Sequence, residues 1–189
     1  MSVTVRPARA EDSPIIARAF AMALGEDVTR IYCGGDNYLD VLCEIITTDG
    51  TQYHYDNVLV AESDGIPVGA CIGYNGADLQ QLRDGTLSII RKYNPEISIT
   101  CDETSAGEFY IDTVAVLPAY RGRGIGRELL LSMIDRAAAM GHKTVGLIVD
   151  ADNTSAERLY TSLGFKYKNS LHFLSHEMRH LQRNDKGDK

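Results

Sequence analysis

The stretch YRGRGIGREL, Tyr120 to Leu129, places three arginines and three glycines in ten residues and runs straight into an apolar-periodic segment. Its glycines stand at 122, 124 and 126. That G-x-G-x-G spacing is not the G-x-G-x-x-G of dinucleotide-binding sheets, nor the lysine-bearing phosphate loop of nucleotide hydrolases. Just upstream, EFYIDTVAVL is apolar and β-branched and stops at Pro118, the composition of a buried strand. Downstream, Ile125, Leu129, Leu130, Met133, Ile134 and Ala137 recur at helical spacing, and Gly141 supplies a stop. Strand, glycine turn and helix in that order aim unpaired backbone N–H groups and the positive end of a helix dipole at one point, where a pyrophosphate fits. Glycine keeps Cβ out of the way, while Arg121, Arg123 and Arg127 add charge from the rim. A solvated basic turn is the competing reading of the same residues.

Outward from this turn the chain alternates strands and helices. Val3 to Arg6 alternates as a short strand, and AEDSPIIARAFAMALG carries a helix start with Pro14 in the first turn and Gly25 as its stop. NYLDVLCEIITTD has a helical apolar stripe at 38, 39, 42, 45 and 46, and NVLVAESDGIPVGACIGY reads as two strands joined across Asp64-Gly65. Residues 75–107 are the least regular part, an inserted excursion with a helix in DLQQLRDGTLSIIRKY. As a lid, this excursion would offer carboxylates to a cationic acceptor from a stretch that carries Tyr93, Glu96, Asp102 and Glu103. KTVGLIV is a further strand, NTSAERLYTSL a short helix ended by Gly164, and GFKYK and HFLSHEMRHL are two closing strands. No repeat, low-complexity block or linker interrupts this order. The expectation is one α/β (α+β) domain over residues 1–181 with helices on the sheet faces, followed by a frayed tail at 182–189.

Composition narrows the function classes. With 189 residues, 44% of them hydrophobic, the chain suits one domain with a substantial core. A formal net charge of −7 disfavours broad attachment to nucleic acid or an anionic membrane, although a local basic patch can still hold phosphate. There is no run of 18 apolar residues and no signal-type run at the N-terminus, so a cytoplasmic protein is expected. Cys33, Cys43, Cys71 and Cys101 are widely spaced and match no zinc pattern, which fits reduced thiols. His172, His176 and His180 stand at i, i+4 and i+8, but in a segment that reads as strand, so no metal is expected.

Within this frame VAVLPAYRGRGIGRELL resembles the acetyl-CoA-binding motif of the Gcn5-related N-acetyltransferase (GNAT) superfamily, with signature Q/R-x-x-G-x-G/A. Arg121, Gly124 and Gly126 occupy the matching positions. NTSAERLYTSLGF is similar to the family's downstream motif, an Asn followed by a short helix carrying Tyr and ending in Gly-Phe. The resemblance implies a central mixed, mostly antiparallel sheet flanked by helices, with a splayed strand pair at the acyl-CoA cleft. It implies acetyl-CoA as acyl-donor co-substrate, with the free backbone of Val114, Ala115 and Val116 pairing the pantetheine arm and residues 121–127, Ile125 among them, holding the pyrophosphate. The acceptor it implies is a primary amine, attacking directly in a ternary complex. An acidic, free-standing domain leans towards a small-molecule acceptor, with a protein lysine or N-terminus, or a non-catalytic acyl-CoA-binding module, as alternatives; a homodimer is left open.

Attack of an amine on a thioester needs a neutral amine and a proton for the departing thiolate. Tyr160 matches the family's general acid, though Ala156, Leu159, Tyr160 and Leu163 also form one helical stripe of core type. Asn153 is either a helix cap, or is left free for the cofactor's pantetheine amide by a Thr154/Glu157 capping box. For the base, Glu108 and Asp112 alternate onto one face of their strand together with Tyr110, and Asp112 lies closer to the splayed segment.

Overall fold

The computed structural model describes residues 2–173 and 176–184. Strands β1 (Val3–Pro7), β2 (Val58–Ser63), β3 (Ile66–Asn75), β4 (Phe109–Val116), β5 (Thr144–Asp150), β6 (Lys166–Phe173) and β7 (His176–Asn184) form one sheet among these residues, in the order β1-β2-β3-β4-β5-β7-β6. Every neighbouring pair is antiparallel except β4 with β5. Helices α1 (Ser13–Leu24), α2 (Glu26–Cys33), α3 (Tyr38–Ile46) and α4 (Leu79–Ile90) precede β4, and α5 (Ile125–Ala139) and α6 (Thr154–Ser162) follow it. Strand β2 shows how the sheet divides the core. Val58 and Val60 join a cluster with Ile16, Phe20, Leu42 and Ile45, while Leu59 and Ala61 join one with Leu129, Leu130 and Met133. This is the period-two alternation of a strand buried on both faces.

The hairpin turns at Asp64-Gly65 as its sequence indicates, with φ of 51° and 80°. Pro14 sits in the first turn of α1. Gly25 at φ 94° ends that helix, its N–H bonding to the Ala21 carbonyl at 2.9 Å, and at the same residue α2 begins. The sequence marks Gly25 only as a stop. Helix α2, with Glu26 and Asp27 in its first turn and Tyr32 and Cys33 buried, is an element it does not mark.

Two boundaries near the C-terminus also differ. His172 and Phe173 belong to β6 rather than to the last strand, and Gln182 to Asn184, expected in the frayed tail, are paired in β7. Residues 185–189 of that tail, and 174–175 within HFLSHEMRHL, lie outside the described residues. His172, His176 and His180 fall on two strands, so helical ligand spacing does not apply to them.

Candidate active site

Strands β4 and β5 pair only at Phe109 with Val145 and Tyr110 with Gly146. Beyond Tyr110 they separate: β4 stays bonded to β3 through Val116, and β5 stays bonded to β7 through Asp150. The wedge opens into a cavity of about 830 Å³. At the head of the wedge β4 bulges, because Ile72 pairs with Thr113 and Gly73 with Ile111, leaving Asp112 without a backbone partner on β3. The extra residue shifts the alternation by one. Phe109 and Ile111 face the α5 side below the bulge, and Val114 and Val116 face it above.

At one end of the cavity the backbone of Val114, Ala115 and Val116 meets the turn that leads into α5. Gly122 and Gly124 have φ of 74° and 80°, the left-handed region that strains any residue with a Cβ, and Gly124 is the N-cap of α5. The first N–H groups of α5, from Ile125 onward, therefore open onto the cavity together with Gly126 and Arg127. Of the three rim arginines, two bond to nearby backbone carbonyls. Arg121 Nε donates to the Val116 carbonyl at 2.9 Å, bracing the end of β4, and Arg123 Nη2 donates to the Ala119 carbonyl at 2.9 Å with its guanidinium over the Tyr120 ring. Arg123 does not line the cavity, whereas Arg121 and Arg127 do.

The opposite end is aromatic and acidic, with Phe20, Tyr32, Tyr53 and Tyr110 in its walls. Tyr74, behind them, donates its hydroxyl to Asp112 Oδ2 at 2.9 Å, and Thr113 Oγ1 donates to Asp112 Oδ1 at 3.1 Å. Burial, reinforced by the negative charge of Glu103, pushes the Asp112 carboxyl up to about 7, while the two hydroxyl donors pull against that rise. A carboxyl in that range accepts and releases a proton near neutral pH. Tyr160, on α6, also lines the cavity; burial pushes its phenol up to about 12, which keeps it protonated.

Glu108 is on the face expected for it but at the wrong end. It precedes the paired residues Phe109 and Tyr110, at the closed side of the wedge, and its carboxylate lies over Gly146. Thr104 Oγ1 donates to Oε1 at 2.6 Å and Gln182 Nε2 to Oε2 at 2.7 Å, with His180 Nε2 3.0 Å from Oε2. Against the upward push of burial, these partners hold its pKa below the usual carboxylate value. Glu108 therefore ties β4 to β7 and is not among the residues that line the cavity. Asn153 is the cap of α6: its Oδ1 accepts the Ala156 N–H at 3.1 Å. The Thr154/Glu157 box is not formed, since Glu157 pairs with Arg179 at 2.9 Å. Asn153 still lines the cavity.

The excursion between β3 and β4 is packed down, with Tyr93 Oη bonded to Glu44 Oε2 at 2.8 Å. It supplies Arg83 and Glu103 to the cavity wall, and Gln52, Phe20, Tyr32 and Tyr53 come from the first third of the chain. Of these only Glu103 carried a signal in the sequence, as an acidic residue in the excursion.

The acetyltransferase (GNAT) family model matches residues 29–165. A crystal structure of an N-acetyltransferase from Staphylococcus aureus Mu50 is similar over 95% of this chain and 99% of that one, with a TM-score of 0.82 and 26% identity. The chain is also similar to the mycothiol acetyltransferase of Renibacterium salmoninarum, 48% identical over 59 residues, which are 31% of this chain and 17% of that protein. With the N-alpha-acetyltransferase RimI of Mycobacterium tuberculosis it shares 38% identity over 84 residues, 43% of this chain and 51% of that one. The chain thus spans less than a fifth of the first relative's length and about half of the second's. Splayed β4 and β5, the left-handed glycine turn opening α5, and a family match covering most of the chain agree, and the chain belongs to the GNAT family of acetyltransferases.

Proposed function

We propose that the protein transfers an acetyl group from acetyl-CoA to a primary amine of a small molecule, by direct attack in a ternary complex, in the cytoplasm. The observation that carries the reading is the continuity of one cavity from the N–H groups of α5 to the Asp112 carboxyl. The residues fit acetyl-CoA: the α5 N-terminus and Arg127 suit the pyrophosphate, and the β5-facing edge of β4 suits an amide-bearing arm. When bound, the thioester supplies the electrophilic carbonyl. Asp112 takes a proton from the acceptor ammonium, directly or through water, so that the amine nitrogen can form its bond to the acetyl carbon. Tyr160 gives its phenolic proton to the sulfur as the C–S bond breaks, and the second proton that leaves the nitrogen as the amide forms returns to the phenolate, directly or through water. Resemblance to an N-alpha-acetyltransferase supports a second reading, with a peptide N-terminus as acceptor.

The test uses Gly126, whose added Cβ would come no closer than 3.8 Å to Val116 Cγ2, so a side chain there fills the cradle without a clash. Acetyl-CoA at 100 times its Kd is expected to stabilise the wild type by about 2.7 kcal/mol, seen as a rise in Tm. Gly126→Glu should keep the ligand-free Tm and lose that rise. If acetyl-CoA leaves the wild type unmoved at millimolar concentration, the donor site is not where we place it. Thiol release with small amines against N-terminal peptides then separates the two acceptor readings.

A further inference from the structure

We propose that the aromatic end of the cavity is a cation-selective acceptor chamber in which Glu103 acts beside Asp112, and that it takes a primary amine with an apolar or aromatic body and no carboxylate or phosphate. The proposal rests on the acetyltransferase reading and assigns its substrate class.

Two carboxylates converge on one hydroxyl. Tyr74 Oη lies 2.9 Å from Asp112 Oδ2 and 3.5 Å from Glu103 Oε1, and Gln52 Nε2 donates to Glu103 Oε1 at 3.2 Å and to Tyr74 Oη at 3.0 Å. Both acids line the cavity, Asp112 bonded to Tyr74 and Thr113 and Glu103 to Gln52 and Arg83, so an ammonium that enters there meets two carboxyl groups in one wall. Arg83 also lines the cavity, and its two terminal nitrogens are occupied: Nη1 bonds Asp102 Oδ1 at 2.7 Å, and Nη2 bonds the Cys101 carbonyl at 3.1 Å and also Glu103. An acceptor carboxylate would meet like charge here and find the guanidinium already engaged. The other arginines of the cavity, Arg121 and Arg127, stand at the α5 end.

The remaining walls suit the body of such an amine. Phe20 stacks obliquely on Tyr53 with ring centroids 4.5 Å apart and lies 6.3 Å from Tyr32. Burial drives the phenols of Tyr32, Tyr53 and Tyr110 upward, so they stay neutral and present aromatic surface to a cation or an apolar group. Like charge from Glu103 also helps raise the Asp112 carboxyl, so the residue that selects a cation assists its deprotonation.

The test is calorimetric binding to the CoA-loaded protein, together with acetylation rates at saturating acetyl-CoA. The probes are 2-phenylethylamine and phenylalanine, which differ by one carboxylate. The amine should bind and react with a kcat/KM about 30-fold or more above that of phenylalanine, the scale of placing like charge in a partly desolvated site. Glu103→Gln should raise KM for 2-phenylethylamine about tenfold with kcat changed far less, and should narrow the ratio between the two probes. If removing that charge leaves Arg83 Nη2 without its carboxylate and the variant unfolds, Arg83→Met with Glu103→Gln removes the pair together, and the retained Tm rise with acetyl-CoA reports an intact fold. Phenylalanine within threefold of 2-phenylethylamine, an unchanged ratio in the variant, or no amine binding overturns the chamber. Amine binding without acetyl transfer leaves the chamber standing and overturns the acetyltransferase reading instead.

Discussion

Asp112 joins sequence, fold and chemistry at a single residue. It is the bulged residue of β4, bonded through its carboxyl to Tyr74 and Thr113, and its charge is felt by Glu103, Arg83, Cys71, Tyr32, Tyr53 and Tyr110. Its carboxyl is near 3.8 in a free chain and about 7 in the fold. Between these values the folded state holds a proton that the unfolded chain has lost, so stability falls as pH rises from about 4 to about 7 and is level above. Asp112→Asn keeps an acceptor for Tyr74 and removes the ionisation. At pH 8 the variant should resist chemical denaturation better than wild type by a few kcal/mol, at about 1.4 kcal/mol per unit of displacement, and the gain should vanish by pH 4. Its kcat/KM should drop about 10²–10⁴-fold. Equal denaturation midpoints for the two proteins at pH 8 would mean that the carboxyl is not raised.

At the level of elements, α6 shows how a cap and a ligand contact can be told apart. Asn153 Oδ1 closes the helix on the Ala156 N–H, the sort of cap whose loss costs about 1 kcal/mol. Asn153→Ala should lower Tm accordingly while leaving the KM for acetyl-CoA within about twofold of wild type, measured by initial rates. A large rise in that KM would return Asn153 to the donor site. The elements that could be read in the sequence are those whose chemistry is local. The strand EFYIDTVAVL, the left-handed positions 122 and 124 and the apolar stripe of α5 lie within a continuous thirty-odd residues, and the turn residues report directly on backbone conformation. Helix α2 was not legible because Gly25 marks both an end and a beginning. The β4 bulge was not legible because no residue type in IDTV announces it.

Across the whole molecule, the lining of the cavity at the α5 turn comes from neighbouring stretches of sequence, and the lining of its aromatic and acidic end from distant ones. Gln52 meets Glu103 across 51 positions and Tyr74 across 22, contacts that only the assembled sheet creates. The place of Glu108 was hidden for the same reason, since its three partners lie on the excursion and on β7, and only the register of the sheet shows that it stands at the closed side of the wedge. The wedge also divides the sheet into two blocks, β1 to β4 and β5 to β7, directly paired at two positions. Amides of residues 111–116 that face away from β3 should exchange quickly with deuterium in the free protein and become protected on adding coenzyme A, while Phe109 and Tyr110 stay protected throughout. No change in residues 111–116 would show that the arm of the carrier does not lie along β4.

If it does lie there, the carrier is the keystone of an arch whose two sides otherwise meet at a single joint. The hydrogen bonds that hold the donor in place are then also those that hold the blocks of the sheet together. Supply of the acyl carrier would govern the lifetime of the protein as well as its rate, because a starved cell would leave the gap open to proteases before it lacked the means to react.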